Sequence, residues 1–189
     1  MFRSFKCPKG WKVVGSKWVF YIKQGPDRAI QKYKARVVAQ GFTQIEGVDY
    51  DKTFVPVAKL SSLQAILAIT TEYNLEVHQM DIKSTYLNGE LEEEIFMKPP
   101  PGFDVPNGMV LRLIKAIYGT KQGGHVWYNN IRTTLETMGY THTESDHAIF
   151  VHFQDDKVSI IALYIDNFTM ACEDLAVIER DKEKLKKHY

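Results

Sequence analysis

Apolar runs rich in β-branched and aromatic residues occur in pairs along the chain, and each pair predicts a β-hairpin. Residues 18–23 and 32–39 flank a turn-rich connection that contains Gly25-Pro26. Residues 148–153 and 158–165 flank four polar residues. Both pairs therefore predict antiparallel strands.

Two pairs of polar residues mark turns near the second hairpin. Asp155-Asp156 lies between polar neighbours at the predicted hairpin tip, where a turn is the expected role. Asp166-Asn167 is followed directly by the apolar run 168–172. This second pair is therefore predicted to lie at a tight turn between two buried strands.

The remaining patterns predict three more strands and three helices. Strands are expected at residues 76–82, 95–97 and 110–113. Near-helical spacing of apolar positions predicts helices at 60–73, with Ser61-Ser62 as possible caps, at 126–138, ended by Gly139, and at 175–188, with Leu175, Ile178 and Leu185 on the apolar side. Because strands and helices do not alternate regularly, the pattern favours an α+β fold, an antiparallel sheet backed by helices.

Composition excludes several classes of protein. With 189 residues, of which 44% are hydrophobic, the chain can bury a core as one domain or two small lobes. No apolar stretch approaches the roughly 20 residues of a membrane helix, so no membrane partner is expected. Cys7 and Cys172 are far apart, which argues against a disulfide framework or a structural zinc site. A cytoplasmic or nuclear location is the default expectation.

The charge is unevenly distributed along the chain. Residues 1–50 carry a net charge of +7, residues 51–108 a net charge of −5 and residues 109–189 a net charge of −1. This asymmetry indicates a phosphate-binding face near the N-terminus and a carboxylate-bearing region after it. A solvated lysine-rich surface is the alternative.

Two carboxylates stand at the ends of apolar strand patterns. Asp81 ends one such pattern and Asp166 ends another. Carboxylates at neighbouring strand ends could hold a divalent metal, with Mg²⁺ favoured for oxygen ligands. A role as turn or N-cap residues at a strand exit explains the same pattern.

Ten ordered motifs resemble the reverse transcriptase of Ty1/copia-type retrotransposons. They include Lys17-Trp18-Val19-Phe20 and Tyr164-Ile165-Asp166-Asn167. In chain order they are residues 17–20, 33–44, 47–50, 53–57, 78–89, 91–97, 100–103, 117–122, 127–128 and 163–167. The resemblance covers nearly the whole chain.

The resemblance implies the fingers and palm of a right-hand polymerase. Residues 1–75 and 87–115 are expected to be fingers-like, and residues 76–86 and 116–189 palm-like. The family also leads us to expect that the palm, the thumb and an RNase H domain continue beyond this chain. The implied location is the cytoplasm or nucleus, within retrotransposon particles where a full element is present.

The resemblance also implies a reaction and its metal ligands. The reaction is two-metal phosphoryl transfer from a dNTP to a primer 3′-hydroxyl, on an RNA or DNA template. The expected catalytic residues are Asp81, Asp166 and Asn167. The expected ligands of two Mg²⁺ ions, with Mn²⁺ as a substitute, are Asp81, Asp166 and the carbonyl of Ile82.

Five further residues are implied to handle the nucleotide. Tyr86 matches the family's aromatic gate against a 2′-hydroxyl, with core packing as the alternative. Lys34 and Arg36 alternate onto one strand face, where they would meet the triphosphate or only solvent. Tyr118-Gly119 begins the segment that lies beneath the nucleotide in the family, with packing at a turn as the alternative.

Departures from the family pattern put catalysis in doubt. Asn167 stands where a second Asp is usual, which removes a charge and a strong ligand. Thr85 stands where Ala is usual, and Gly123-Gly124 where a small residue and Pro are usual, which would loosen a helix start.

These observations leave three hypotheses. The first is an RNA-directed DNA polymerase domain that Asn167 and truncation impair. The second is a non-catalytic nucleic-acid-binding remnant that uses a set of basic residues against phosphates, namely Lys17, Lys23, Lys32, Lys34 and Arg36. The third is a marginally stable fragment without function. The oligomeric state is left open.

Overall fold

The computed structural model describes residues 1–154 and 157–189, so the turn predicted at Asp155-Asp156 lies outside the described residues. The chain divides into two compact units. The first comprises Met1–Phe54 and Tyr86–Trp127, and the second comprises Val55–Thr85 and Tyr128–Tyr189. No helix of the described part is long and apolar enough to cross a membrane.

The described residues form strands and helices in mixed order, which confirms the predicted α+β class. In chain order the strands are β1 (Phe2–Lys6), β2 (Val13–Val14), β3 (Ser16–Gln24), β4 (Ile30–Ala39), β5 (Glu76–Asp81), β6 (Glu90–Met97), β7 (Met109–Lys115), β8 (Thr141–His142), β9 (Ile149–Gln154), β10 (Lys157–Tyr164) and β11 (Asn167–Cys172). The helices are α1 (Leu60–Glu72), α2 (Gly123–Thr137) and α3 (Leu175–His188).

The first unit contains a four-stranded sheet, in the order β1-β7-β6-β2, and the ribbon β3-β4. One core cluster of the unit combines sheet residues with Ala39 at the end of β4 and Ile117 after β7. The ribbon is the predicted N-terminal hairpin, paired in register from Ser16 with Ala39 as far as Lys23 with Lys32. It leaves large side chains in solvent, since Phe20 is 74% exposed and Tyr33 is 70% exposed.

The second unit is built on a five-stranded antiparallel sheet in the order β5-β11-β10-β9-β8. The predicted second hairpin is its β9-β10 pair. Helix α3 contacts β11 and β5. The apolar runs of the sequence become its fully buried side chains, among them Phe150, Ile161, Phe168 and Met170.

Three local predictions are wrong. Ser61 and Ser62 do not cap α1, because Lys59 is the N-cap residue and the Ser62 hydroxyl donates instead to Asp146 Oδ2 at 2.6 Å. Helix α2 begins at Gly123, before the predicted start at Val126. Leu175 at the start of α3 is 47% exposed, so it lies outside the buried face of that helix.

A buried polar pair connects α3 to the segment after α2 in the second unit. Asp181 is 1% exposed, and it accepts a hydrogen bond from the Tyr140 hydroxyl at 2.7 Å and another from Arg180 Nε at 3.1 Å. Burial, and then the bond to Asp181, raises the pKa of Tyr140 above its usual range. The hydroxyl therefore stays protonated in the folded state.

We expect Tyr140→Phe to lower the free energy of unfolding by about 2 kcal/mol near neutral pH, because one hydrogen bond to a buried carboxylate is lost. Since the folded pKa of Tyr140 is raised, its contribution is complete below about pH 10, the usual pKa of tyrosine, and is lost as pH rises further. Urea denaturation on either side of that pH measures both effects. Equal alkaline losses in the parent and the variant would contradict the second.

Candidate active site

In the second unit, strand pairing places the candidate metal residues together. Strand β11 pairs with β5 so that Asn167 lies opposite Asp81, and it pairs with β10 so that Asn167 lies opposite Tyr164. Asn167 is therefore the first residue of an inner strand. Asp81 ends the neighbouring strand, as the apolar pattern predicted.

The connection between β10 and β11 has only two residues, Ile165 and Asp166. The prediction of a tight turn is confirmed, but the turn is shifted by one residue from Asp166-Asn167. Ile165 has φ 59°, a left-handed conformation that is rare for a β-branched residue and costs of order 1 kcal/mol or more. The surrounding strands hold this strain, and the strained turn sets the position of Asp166.

The backbone ties Asp166 to the end of β5. The Ile82 N–H donates to the Asp166 carbonyl at 2.9 Å. The carbonyl of Ile82 in turn accepts a hydrogen bond from the buried Thr85 hydroxyl at 2.9 Å. Asp81 is exposed, whereas Asp166 and Asn167 are half-buried.

The side-chain oxygen atoms at this strand end are of the type that binds a divalent cation. Mg²⁺ is commonly bound through one or two carboxylates with water in its other positions, and Asp81 and Asp166 supply two. The Asn167 side chain donates from Nδ2 to Asp166 Oδ1 at 3.1 Å, which occupies one of those oxygens. The described residues contain no group of three or more His, Cys, Asp or Glu arranged to hold a metal.

In the first unit, the ribbon register gathers basic side chains on one face. Side chains alternate between the faces of a strand, and the residues paired across β3 and β4 point to the same side. The residues that share this face and carry a positive charge are Lys17, Lys23, Lys32, Lys34 and Arg36. The opposite face carries Trp18, Phe20 and Tyr33, and the rings of Trp18 and Phe20 are stacked with centroids 6.1 Å apart.

In this unit Tyr118 contacts two other residues predicted to handle the nucleotide, Arg36 and Tyr86. The guanidinium carbon of Arg36 lies 5.0 Å from the centroid of the Tyr118 ring. The Tyr86 and Tyr118 rings meet edge to face, with centroids 4.7 Å apart. Lys34 lies two residues from Arg36 on the same strand face, half-buried.

Gly119 allows two backbone segments to approach closely. It has φ 88°, and a Cβ at this position would lie 2.1 Å from the Ala39 carbonyl oxygen. The Ala39 N–H donates to the Tyr118 carbonyl at 2.8 Å, and the Gly41 N–H donates to the Gly119 carbonyl at 3.0 Å. The close approach described here is to protein backbone.

Sequence reasoning gave no role to Gln44 and Gln122, although both lie within the quoted motifs. Both are buried, and Gln44 Nε2 donates to Gln122 Oε1 at 3.1 Å. Gln44 Oε1 accepts from the Lys121 N–H at 2.8 Å, and Gln122 Nε2 donates to the Asp49 carbonyl at 3.0 Å. The two amides fasten residues 41–49 to the segment after Gly119.

Comparisons with known proteins give a consistent result. A family model described as reverse transcriptase (RNA-dependent DNA polymerase) matches residues 1–189. The chain is 37% identical to the retrovirus-related Pol polyprotein from transposon TNT 1-94 of Nicotiana tabacum, over 100% of this chain and 14% of that protein. It is 34% identical to the polyprotein from transposon RE2 of Arabidopsis thaliana, over 96% and 13%, and 29% identical to the transposon Ty1-DR4 Gag-Pol polyprotein of Saccharomyces cerevisiae, over 94% and 10%. The chain thus spans about one seventh or less of the length of these relatives.

We expect Asn167→Asp to make the stability of the second unit depend on divalent cations. Without cations the variant should lose about 1 kcal/mol, the size of one contact between like charges in water, because a third carboxylate joins Asp81 and Asp166. Millimolar Mg²⁺ should restore this loss by binding the folded state. Thermal unfolding with Mg²⁺ and with chelator measures both steps.

The double variant Asp81→Asn with Asn167→Asp is the matched control for this experiment. It carries the same number of carboxylates as the parent chain, so it should show little loss without cations. A Tm shift with Mg²⁺ that is the same for the parent and for Asn167→Asp would contradict the expectation.

Proposed function

This chain belongs to the reverse transcriptase (RNA-dependent DNA polymerase) family of copia-type Pol polyproteins, and from that membership we propose that it carries the fingers and palm portion of a polymerase. The reaction is phosphoryl transfer from a dNTP to a primer 3′-hydroxyl on an RNA or DNA template: the primer 3′-oxygen bonds to the α-phosphorus, and pyrophosphate leaves. The observation that carries the proposal is the strand register that brings Asp81, Ile82, Asp166 and Asn167 to one sheet end.

The fingers-like portion in this proposal is residues 1–75 and 87–115, and the palm-like portion is residues 76–86 and 116–189. The division into two compact units supports a two-part organisation, although its boundaries group residues 55–75 with the second unit, and Tyr86 and residues 116–127 with the first. The basic ribbon β3-β4 supports a fingers role, and the sheet that bears Asp81 and Asp166 supports a palm role.

Asp81, Asp166 and the Ile82 carbonyl would hold Mg²⁺, or Mn²⁺ in its place. Divalent cations bound there would supply the charge neutralisation and alignment that phosphoryl transfer requires. The protein's own part is to hold these oxygens in place. It does so through the β5-β11 pairing and the bond from the Ile82 N–H to the Asp166 carbonyl.

The first unit supplies the groups proposed to handle the nucleotide. Arg36 and Lys34 would bind the triphosphate, Arg36 as a planar fork and Lys34 as a point charge. Tyr86 would block a 2′-hydroxyl with its ring, and Tyr118-Gly119 would lie beneath the incoming base. The cation–π contact between Arg36 and Tyr118 supports this grouping, because it brings a phosphate-binding group to the aromatic pair.

Asn167 is proposed to weaken catalysis. It supplies an amide where a carboxylate would bind a cation strongly, and its Nδ2 donates to Asp166. Loss of about 1.4 kcal/mol of transition-state stabilisation lowers a rate tenfold, so even a partial loss of cation affinity has a large kinetic effect.

The test is primer extension on poly(rA)/oligo(dT) with Mg²⁺ and then with Mn²⁺. We expect Asn167→Asp to extend the primer at least about tenfold faster than the parent chain, because one missing ligand is worth a kcal/mol or more in the transition state. Asp81→Ala in the Asn167→Asp background should abolish extension.

The control for folding is Asp174→Ala in the same background. Asp174 caps α3 by accepting a hydrogen bond from the Ala176 N–H, at a position outside the proposed site, so this variant should extend the primer. Extension that survives Asp81→Ala, or that is absent from both the parent chain and Asn167→Asp while both are folded, would refute the proposed activity.

A second candidate function is nucleic-acid binding without catalysis, and the basic face of the ribbon favours it. Five cationic side chains share one face there. Contacts with phosphates release counterions, so affinity should fall steeply with salt and should not depend on Mg²⁺ at the strand end. Such a remnant would bind template and primer without joining nucleotides.

We expect the triple variant Lys17→Gln, Lys23→Gln and Lys32→Gln to reduce the salt dependence of binding to single-stranded RNA by about 2 in the slope of log K against log salt, since each lost phosphate contact removes about 0.7. Fluorescence anisotropy at several salt concentrations measures the slope. The matched control removes three charges from α3, at Lys184, Lys186 and Lys187, and should leave the slope unchanged. Equal effects of both triple variants would show that net charge alone drives binding.

A further inference from the structure

The ring of Tyr118 contacts both Arg36 and Tyr86. We propose that Tyr118 is a positioning residue for sugar selection, which holds the Tyr86 ring in its place and at the same time orients the Arg36 guanidinium. This inference rests on the proposed function, because it assigns how that site distinguishes deoxynucleotides from ribonucleotides.

The Arg36 side of this arrangement is fixed by backbone contacts. The Ala39 N–H, three residues after Arg36 on β4, donates to the Tyr118 carbonyl at 2.8 Å. The glycine at 119 permits this approach, since any Cβ there would meet the Ala39 carbonyl at 2.1 Å. The strand that carries Arg36 and the backbone that carries Tyr118 therefore form one rigid connection.

The Tyr86 side is fixed in a similar way. Tyr86 lies in a short 3-10 helix, Thr85–Asn88, and its carbonyl accepts from the Gly89 N–H at 3.3 Å. The Gly89 carbonyl accepts from the Ala116 N–H at 3.0 Å, two residues before Tyr118. Both tyrosines thus project from backbone segments that are hydrogen-bonded to each other.

The two ring contacts differ in what they contribute. An edge-to-face aromatic pair restricts the tilt of the Tyr86 ring, and the cation–π contact restricts the guanidinium to one side of the Tyr118 ring. A gate against one hydroxyl works by steric exclusion, so a ring free to tilt excludes that hydroxyl less well. Loss of the Tyr118 ring should consequently reduce selection against ribonucleotides more than it reduces nucleotide binding.

The test measures binding without chemistry. The chain is mixed with poly(rA) annealed to a dideoxy-terminated oligo(dT), and the dissociation constants of dUTP and UTP, which differ only in the 2′-hydroxyl, are measured by filter binding with labelled nucleotide. The parent chain should prefer dUTP. Tyr118→Leu should lower the UTP-to-dUTP ratio of dissociation constants by about three- to tenfold, the range expected from losing one aromatic pair.

The matched control is Tyr118→Phe, which keeps both ring contacts and should keep the parent ratio. In a Tyr86→Ala background, Tyr118→Leu should change the ratio no further, because its effect acts through the Tyr86 ring. Circular dichroism and the Tm establish folding for each variant. If Tyr118→Leu does not fold, Tyr118→Met, with a flexible apolar side chain, takes its place.

Three results would overturn the inference. They are a parent chain without a preference for dUTP, a Tyr118→Leu variant that weakens the binding of dUTP and UTP by the same factor, and a full effect of Tyr118→Leu in the Tyr86→Ala background. Failure of the proposed polymerase activity is a separate observation, since it appears as missing primer extension by Asn167→Asp and does not affect binding to a terminated primer.

Discussion

The pairing of β11 with both of its neighbours is the constraint on which the candidate cation site depends. A strand with partners on both sides cannot shift by one residue without turning its buried side chains, Phe168 and Met170, to the other face of the sheet. The hydrophobic core therefore fixes the register. That register places Asn167 opposite Asp81. Asp166, the residue before Asn167, ends the two-residue connection from β10, and its carbonyl accepts the hydrogen bond from the Ile82 N–H.

The first unit contains a ribbon with little core of its own, because the ribbon has only two strands and exposes large side chains on both faces. An isolated hairpin is marginally stable in water. Here the end of the ribbon opposite its turn is stabilised by Ala39, which belongs to the core cluster, and by the backbone hydrogen bonds between residues 39–41 and 118–119. The same bonds that stabilise the ribbon set the position of Tyr118, so stability and the arrangement of the proposed nucleotide residues have one origin.

Sequence patterns predicted the elements well because those patterns report local and periodic properties. Both hairpins, the three helices and the strands that end next to Asp81 and Asp166 follow from the spacing of apolar residues. The patterns failed where a distant residue decides the outcome. Serine is a common helix-capping residue, yet the Ser62 hydroxyl donates to Asp146. Aspartate is usually exposed on a helix, yet Asp181 is buried and accepts a hydrogen bond from Tyr140.

The candidate site shows the same division. The charge map and the motifs pointed to Lys34, Arg36, Tyr86, Tyr118 and Gly119, but the contact between Arg36 and Tyr118 joins residues 82 positions apart and has no periodic signature. The one-residue shift of the turn at Ile165 was equally hidden, because a β-branched residue at positive φ contradicts ordinary turn preferences. Only the paired strands on either side over-determine that conformation.

Two residues that depart from the family pattern donate hydrogen bonds to nearby oxygen atoms. The Thr85 hydroxyl donates to the Ile82 carbonyl, and the Asn167 amide donates to the Asp166 carboxylate. Both acceptors belong to the proposed cation site, so polar groups at the strand end are satisfied in part by the protein itself. When the protein's own donors bond to these oxygen atoms, the fold depends less on a bound cation for its stability. The fold can therefore persist while catalysis weakens. The requirements for folding and for catalysis are separable at this strand end, because the core fixes the register whatever side chain stands at position 167.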